Sequence, residues 1–128
     1  KKNVLRGLHF QNVKPQGKLI RVTLGSIFDV AVDLRRSSST FGKWVGVNLT
    51  AENKKQIWIP PGFAHGFLVT SDVAECQYKT TEYWHPQHEQ TLLWNDNLVA
   101  VDWPLKSAPT LSHKDQLGKN LEMLCCFD

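Results

Sequence analysis

The stretch at residues 57–67, IWIPPGFAHGF, constrains this chain more than any other. The apolar run Ile57, Trp58, Ile59 stops at Pro60-Pro61-Gly62, where two fixed φ angles and a residue free to take positive φ force the backbone to reverse. Apolar residues resume at Phe63 and continue through Phe67, Leu68 and Val69, so the stretch reads as strand, tight turn, strand. His65 falls just beyond the turn, with Gly66 beside it. A titratable ring with so little bulk next to it can reach a pocket; it can equally be a buried histidine bonded to a backbone carbonyl.

The same short-strand pattern recurs on both sides. In VLRGLHFQ, period-2 alternation sets Leu5, Gly7, His9 and Gln11 on one face and Arg6, Leu8 and Phe10 on the other. Arg6 and His9 then point apart, unless a bulge at Gly7 turns one of them. Residues 18–24 and 26–34 meet at Gly25 as a hairpin-like pair. In the second of these, Phe28, Val30, Val32 and Leu34 form an apolar face, and Asp29 sits mid-strand on the opposite one, where it needs solvent or a partner. Residues 44–50 continue the pattern. Residues 74–81 alternate cleanly and place Tyr78 with Ala74 and Cys76, which predicts an inward phenol. An aromatic loop, Tyr83-Trp84-His85-Pro86, leads to expected strands at 89–94 and 98–103. Near the end, Ser112-His113-Lys114-Asp115 has the form of a helix start, with Leu117, Leu121 and Leu124 following at helical spacing. Helix capping is the plain structural role for Asp115. Roughly eight short strands with regular turns and one late helix predict an all-β antiparallel barrel or jelly roll.

Composition narrows the function. At 128 residues the chain is expected to form one domain with its own core. No run of about 18 apolar residues and no basic-then-apolar leader is present, so neither a membrane span nor export is expected. The three cysteines, Cys76, Cys125 and Cys126, are odd in number and include an adjacent pair, which favours a reducing, cytoplasmic setting over a disulfide framework. They also lack zinc-site spacing. A net charge of +3 suits an anionic ligand but falls short of a nucleic-acid binder.

The strings VLRGLHFQ, QGKLIRV, FDVAVDLR, WIPPGFAHGF, QYKTTEYW and LSHKD occur in one order across nearly the whole chain. Together they resemble the dTDP-4-dehydrorhamnose 3,5-epimerase family. That resemblance implies a cupin-type jelly roll, a homodimer, a dTDP-sugar substrate and no cofactor or metal. It also implies that residues 1–128 lack an N-terminal segment which family members carry. The implied reaction inverts carbons 3 and 5 of a dTDP-4-keto-6-deoxyhexose. Such chemistry needs a base, an acid on the opposite face of the sugar, and stabilisation of an enolate oxygen. His9 matches the family base, Asp115 the carboxylate that orients it, Tyr78 the acid and Lys18 the cation near the ketone; Asp29 is a second candidate for the orienting carboxylate. Arg6, His65, Glu89 and Lys114 match ligand-contacting positions. Trp84 stands where the family usually has a tyrosine that stacks on the thymine base.

Other readings make different demands. A metal-dependent cupin needs clustered His, Glu or Cys ligands, whereas His9 is followed by Phe10 and Gln11, and His85 and His88 lie in a loop. A non-catalytic sugar-nucleotide binding module would bind without proton exchange. A single-carbon epimerase or a ketoisomerase would use the same residues, because each begins with the same enolate.

Overall fold

A computed structural model describes residues 1–128. Its strands are β1 (Leu5–Gln11), β2 (Lys18–Leu24), β3 (Ser26–Asp33), β4 (Trp44–Thr50), β5 (Gln56–Ile59), β6 (Phe63–Val69), β7 (Glu75–Thr80) and β8 (Glu89–Thr91). They form two antiparallel sheets, β4-β3-β6-β1-β8 and β5-β2-β7. This is one of the two all-β forms that the alternation predicts, a jelly roll, and it is of the cupin type that the resemblance implies.

The hairpin-like turn at Gly25 and the tight turn at Pro60-Pro61-Gly62 are both sheet-to-sheet crossings. β2 pairs with β5 and β7, whereas β3 pairs with β4 and β6, so the chain changes sheet at Gly25. It changes sheet again between β5 and β6, at Pro60-Pro61-Gly62. Both glycines have positive φ, 75° at Gly25 and 97° at Gly62. A Cβ at Gly25 would overlap the Val73 carbonyl, so only glycine lets the crossing pack this tightly.

Alternation along the central strands feeds two separate cores. Val30, Val32 and Leu34 from β3 and its end, Ala64 and Leu68 from β6, and Leu8 and Phe10 from β1 face away from the small sheet. The C-terminal segment covers them with Val99, Trp103, Leu121 and Leu124. On the opposite face Ile27, Ala31 and Val69 meet Ile20, Val22 and Ile59 across the inter-sheet space. Each such fully buried aliphatic side chain contributes about 1.5–3 kcal/mol. The second cluster fills only part of the space between the sheets, and the remainder is a cavity.

The C-terminal third departs from expectation. Residues 98–103 form no strand. Instead the buried Asp96 gathers the segment, with Oδ1 accepting from the Leu98 and Val99 N–H groups at 2.8 and 2.9 Å and Oδ2 from Leu121 N–H at 2.9 Å. Local side-chain bonds of this kind compete directly with a sheet ladder. β8 also ends early, because beyond Thr91 the backbone bridges to Lys119. The predicted helix is a single turn, α1 (His113–Gln116). Gly118 passes so close to Leu93 that an added Cβ would lie 2.8 Å from its Cα, and a continuing helix cannot make that approach. Leu121 and Leu124 are buried nonetheless, reached through a separate 3-10 turn, while Leu117 is exposed.

Candidate active site

The inter-sheet cavity has a volume of ≈ 570 Å³. Arg6, His9, His65 and Phe67 line it from the large sheet, and Lys18, Ile20, Cys76, Tyr78 and Thr80 from the small one. Tyr83, Trp84, Glu89 and Lys114 also line it. Of the residues singled out in the sequence, Arg6, His9, Lys18, His65, Tyr78, Trp84, Glu89 and Lys114 meet here; Asp29 and Asp115 stand behind the two histidines.

Arg6 and His9 share the cavity because strict alternation fails between them. The β1–β6 register shifts between Arg6 and His9, and Gly7 within the shift has φ 120°. Leu5, Leu8 and Phe10 consequently all reach the outer core. The space at the shift is made by glycine on both strands: a Cβ on Gly7 would lie 2.6 Å from Gly66 Cα.

β1 and β6 set His9 opposite His65, and each ring has its own carboxylate. His9 Nε2 donates to Asp115 Oδ1 at 2.5 Å, and Gly7 N–H donates to Asp115 Oδ2 at 3.2 Å. Ser112 caps α1 by accepting from Asp115 N–H, which leaves the Asp115 side chain free to turn toward β1. Burial alone would raise the Asp115 carboxyl, but the bond and charge of His9, the Gly7 N–H and Ser112 outweigh it and hold it below its ordinary value. His65 Nε2 donates to Asp29 Oδ2 at 2.8 Å. Asp29 therefore partners His65, not His9. It is fully buried and absent from the cavity lining, so it reaches the cavity only through His65 rather than touching a ligand itself. On the inner face of β3 this carboxylate has no solvent to turn to, and the diagonal histidine of β6 is its neighbour across the strands.

Glu89 approaches the other nitrogen of His9. Its Oε1 lies 3.7 Å from Nδ1, while Oε2 accepts from Trp84 Nε1 and from Lys114 Nζ, each at 3.1 Å. β8 pairs Thr91 with His9, so Glu89 is the same-face diagonal residue. Burial again works to raise the carboxyl, and Lys114, Trp84 and His9 together hold it below its ordinary value. The Lys18 side chain forms no ion pair or hydrogen bond within the chain. Burial pushes its ammonium down, against the opposing attraction of Glu89 and Asp29. Tyr78 points to the cavity as expected, yet 66 % of it stays exposed because β7 is an edge strand at the mouth.

Gln11 closes the string VLRGLHFQ, which gives it no role of its own. It is buried, donating to the Lys14 and Tyr83 carbonyls and accepting from His85 N–H at 2.7 Å, and so pins the aromatic loop that carries Trp84. A polar residue at the buried end of an alternating strand is the only sequence signal for it. Gln16, Thr80 and Tyr83, which lie within the strings that carry the resemblance but have no expected role there, and Cys76 outside them are further lining residues. No group of three or more His, Cys, Asp or Glu side chains is arranged to hold a metal ion, and all three cysteines are free.

A jelly roll with a polar, histidine-bearing cavity between its sheets defines a cupin-type protein with a small-molecule site. More narrowly, the chain belongs to the dTDP-4-dehydrorhamnose 3,5-epimerase family, whose model matches residues 1–123. A Pseudomonas aeruginosa dTDP-4-dehydrorhamnose 3,5-epimerase is 60% identical over 126 residues, covering 98% of this chain and 70% of the relative. The Escherichia coli protein of the same name is 61% identical over 116 residues, covering 90% and 63%. Among solved structures, a dTDP-6-deoxy-D-glucose-3,5-epimerase from Legionella pneumophila in complex with dTDP-4-keto-L-rhamnose superposes with a TM-score of 0.95 at 52% identity, covering 97% of this chain and 66% of that one. The chain thus spans part of the length of each relative.

Proposed function

We propose that the protein epimerises carbons 3 and 5 of a dTDP-4-keto-6-deoxyhexose, carrying dTDP-4-dehydro-6-deoxy-D-glucose to dTDP-4-dehydro-L-rhamnose through enolate intermediates. The single observation that carries this reading is the His9–Asp115 pair on one wall of a cavity whose other wall bears an unpaired Lys18 and the phenol of Tyr78. With Nε2 engaged by Asp115, Nδ1 is the nitrogen that offers a lone pair to a proton alpha to the ketone. Asp115 stabilises the imidazolium that results, as acid–histidine pairs do elsewhere. The half-buried Lys18 ammonium meets the charge that develops on the ketone oxygen, where a preorganised cation is most effective. Tyr78, on the opposite sheet from His9, returns a proton to the other face of the carbon. His65, held by Asp29, hydrogen-bonds the sugar. Trp84 offers the base a π face, and Arg6 and Lys114 offer positive charge to the diphosphate. As the family resemblance implies, the proposed assembly is a homodimer.

Proton NMR of dTDP-4-keto-6-deoxyglucose in deuterated buffer tests the proposal. Loss of both the carbon-3 and carbon-5 signals in the presence of the protein, and its abolition in His9→Ala, is the expected result. Absence of exchange at either carbon would refute it. A second reading, inversion at one carbon only, is favoured by Trp84, which has no hydroxyl where the family has tyrosine. A 3'-monoepimerase from Streptomyces bikiniensis shares the fold with a TM-score of 0.89 at 30% identity. Exchange confined to one carbon would select that reading.

A further inference from the structure

The family reading leaves the fate of the abstracted proton open, and the geometry around His9 differs sharply on its two sides. Asp115, on Nε2, has a side chain only 2% exposed, and both its oxygens are engaged, by His9 and by Gly7 N–H. A proton cannot leave by that route. On the other side Glu89 has one oxygen committed to Trp84 and Lys114, while Oε1, 3.7 Å from Nδ1, has no donor of its own. A closure of under an ångström would bring Nδ1–H into hydrogen-bond range of Oε1. Both groups that hold Oε2 stand at the cavity mouth, with the Trp84 side chain and the Lys114 side chain mostly exposed.

We infer that Glu89 is the proton exit of this site: a positioning carboxylate that takes the substrate-derived proton from His9 Nδ1 and passes it to solvent. In the step, the carbon–hydrogen bond breaks and its electron pair enters the enolate as the proton bonds to Nδ1. The Nδ1–H bond then breaks as Oε1–H forms, and Oε1–H exchanges with water. Nothing is oxidised or reduced. Trp84 and Lys114 fix the carboxylate by Oε2 so that Oε1 alone faces the ring, which gives the indole a task that a ring without a donor at that point could not perform. The inference rests on the proposed epimerisation and on His9 as its base.

The experiment uses substrate deuterated at the carbon that exchanges, in ordinary water, with the reaction stopped part-way. The ratio of deuterium lost from recovered substrate to product formed reports how readily the proton on His9 reaches solvent before it returns. In Glu89→Gln, which keeps the shape and an oxygen for Trp84, this ratio is expected to fall about tenfold or more, since positioned proton transfer is typically worth 10²–10⁴-fold in rate. In Glu89→Ala the same loss is expected, with added formate restoring exchange by supplying a free carboxylate. An unchanged ratio in folded Glu89→Gln overturns the inference, as does a Glu89→Ala protein whose exchange is lost but insensitive to formate. If the unsubstituted protein itself exchanges no deuterium, the epimerase reading fails and the inference with it; normal exchange in that protein with either overturning result removes the inference alone.

Discussion

Each histidine of the cavity is held by a buried acid, and the two acids could not be assigned to their partners from residue types. Both Asp29 and Asp115 are good orienting carboxylates for His9 on chemistry alone. The choice is made by strand position: Asp29 is diagonal to His65 across β3 and β6, whereas the turn at α1 delivers Asp115 to Nε2 of His9. Asp115→Asn preserves size and the Ser112 cap but removes the charge that balances an imidazolium. It is expected to lower kcat by about 10²–10⁴-fold while calorimetric binding of dTDP changes little. Equal losses in dTDP affinity and in kcat would instead point to collapse of the site. At this scale the ordered motifs made most of the cavity wall legible, but they gave no role to residues such as Gln11, which holds a loop.

The site is built at the level of paired strands by two glycines that touch. Gly7 and Gly66 face one another across β1 and β6 where the register shifts, and the shift is what turns Arg6 and His9 to the same side. Alternation alone would have put one of them in the outer core. An added Cβ at Gly66 would lie 2.6 Å from the Arg6 carbonyl oxygen and 2.9 Å from Leu8 Cδ2. Gly66→Ala should therefore push the strands apart and cost about 1–3 kcal/mol, read from the urea midpoint. It should also lower turnover, because His9 moves with β1. A variant with wild-type stability and turnover would show that the close approach is not required. The glycine at position 7 announces a possible bulge in the sequence; its counterpart on a strand far away in the chain does not.

For the molecule as a whole, pH dependence follows from several displaced carboxyls acting together. Asp33 is buried, and although burial works against it, bonds from the Arg35 guanidinium, Thr40 and the Arg35 N–H hold its carboxyl well below the usual carboxylate range. Asp115 and Glu89 are displaced in the same direction. Each such group adds stability that is fully present above its unfolded pKa, about 4, and is lost as pH falls through the lower folded value. Lys18 is displaced downward too, so its cost is present at low pH and is relieved only as pH rises through its folded value. Melting temperature should accordingly climb from about pH 2 to about pH 5 and level off above it, and Asp33→Asn should flatten that rise. A flat profile in the unsubstituted protein would contradict the network. Period-2 alternation and turn residues determined by themselves that this chain would be a sandwich of short strands, since strand facing depends only on neighbours in sequence. Which strands pair, where the chain changes sheet, and which acid reaches which histidine were decided by the tertiary structure. Those choices depend on contacts between residues distant in the chain, whose free energy appears only when the sheets close over a common core.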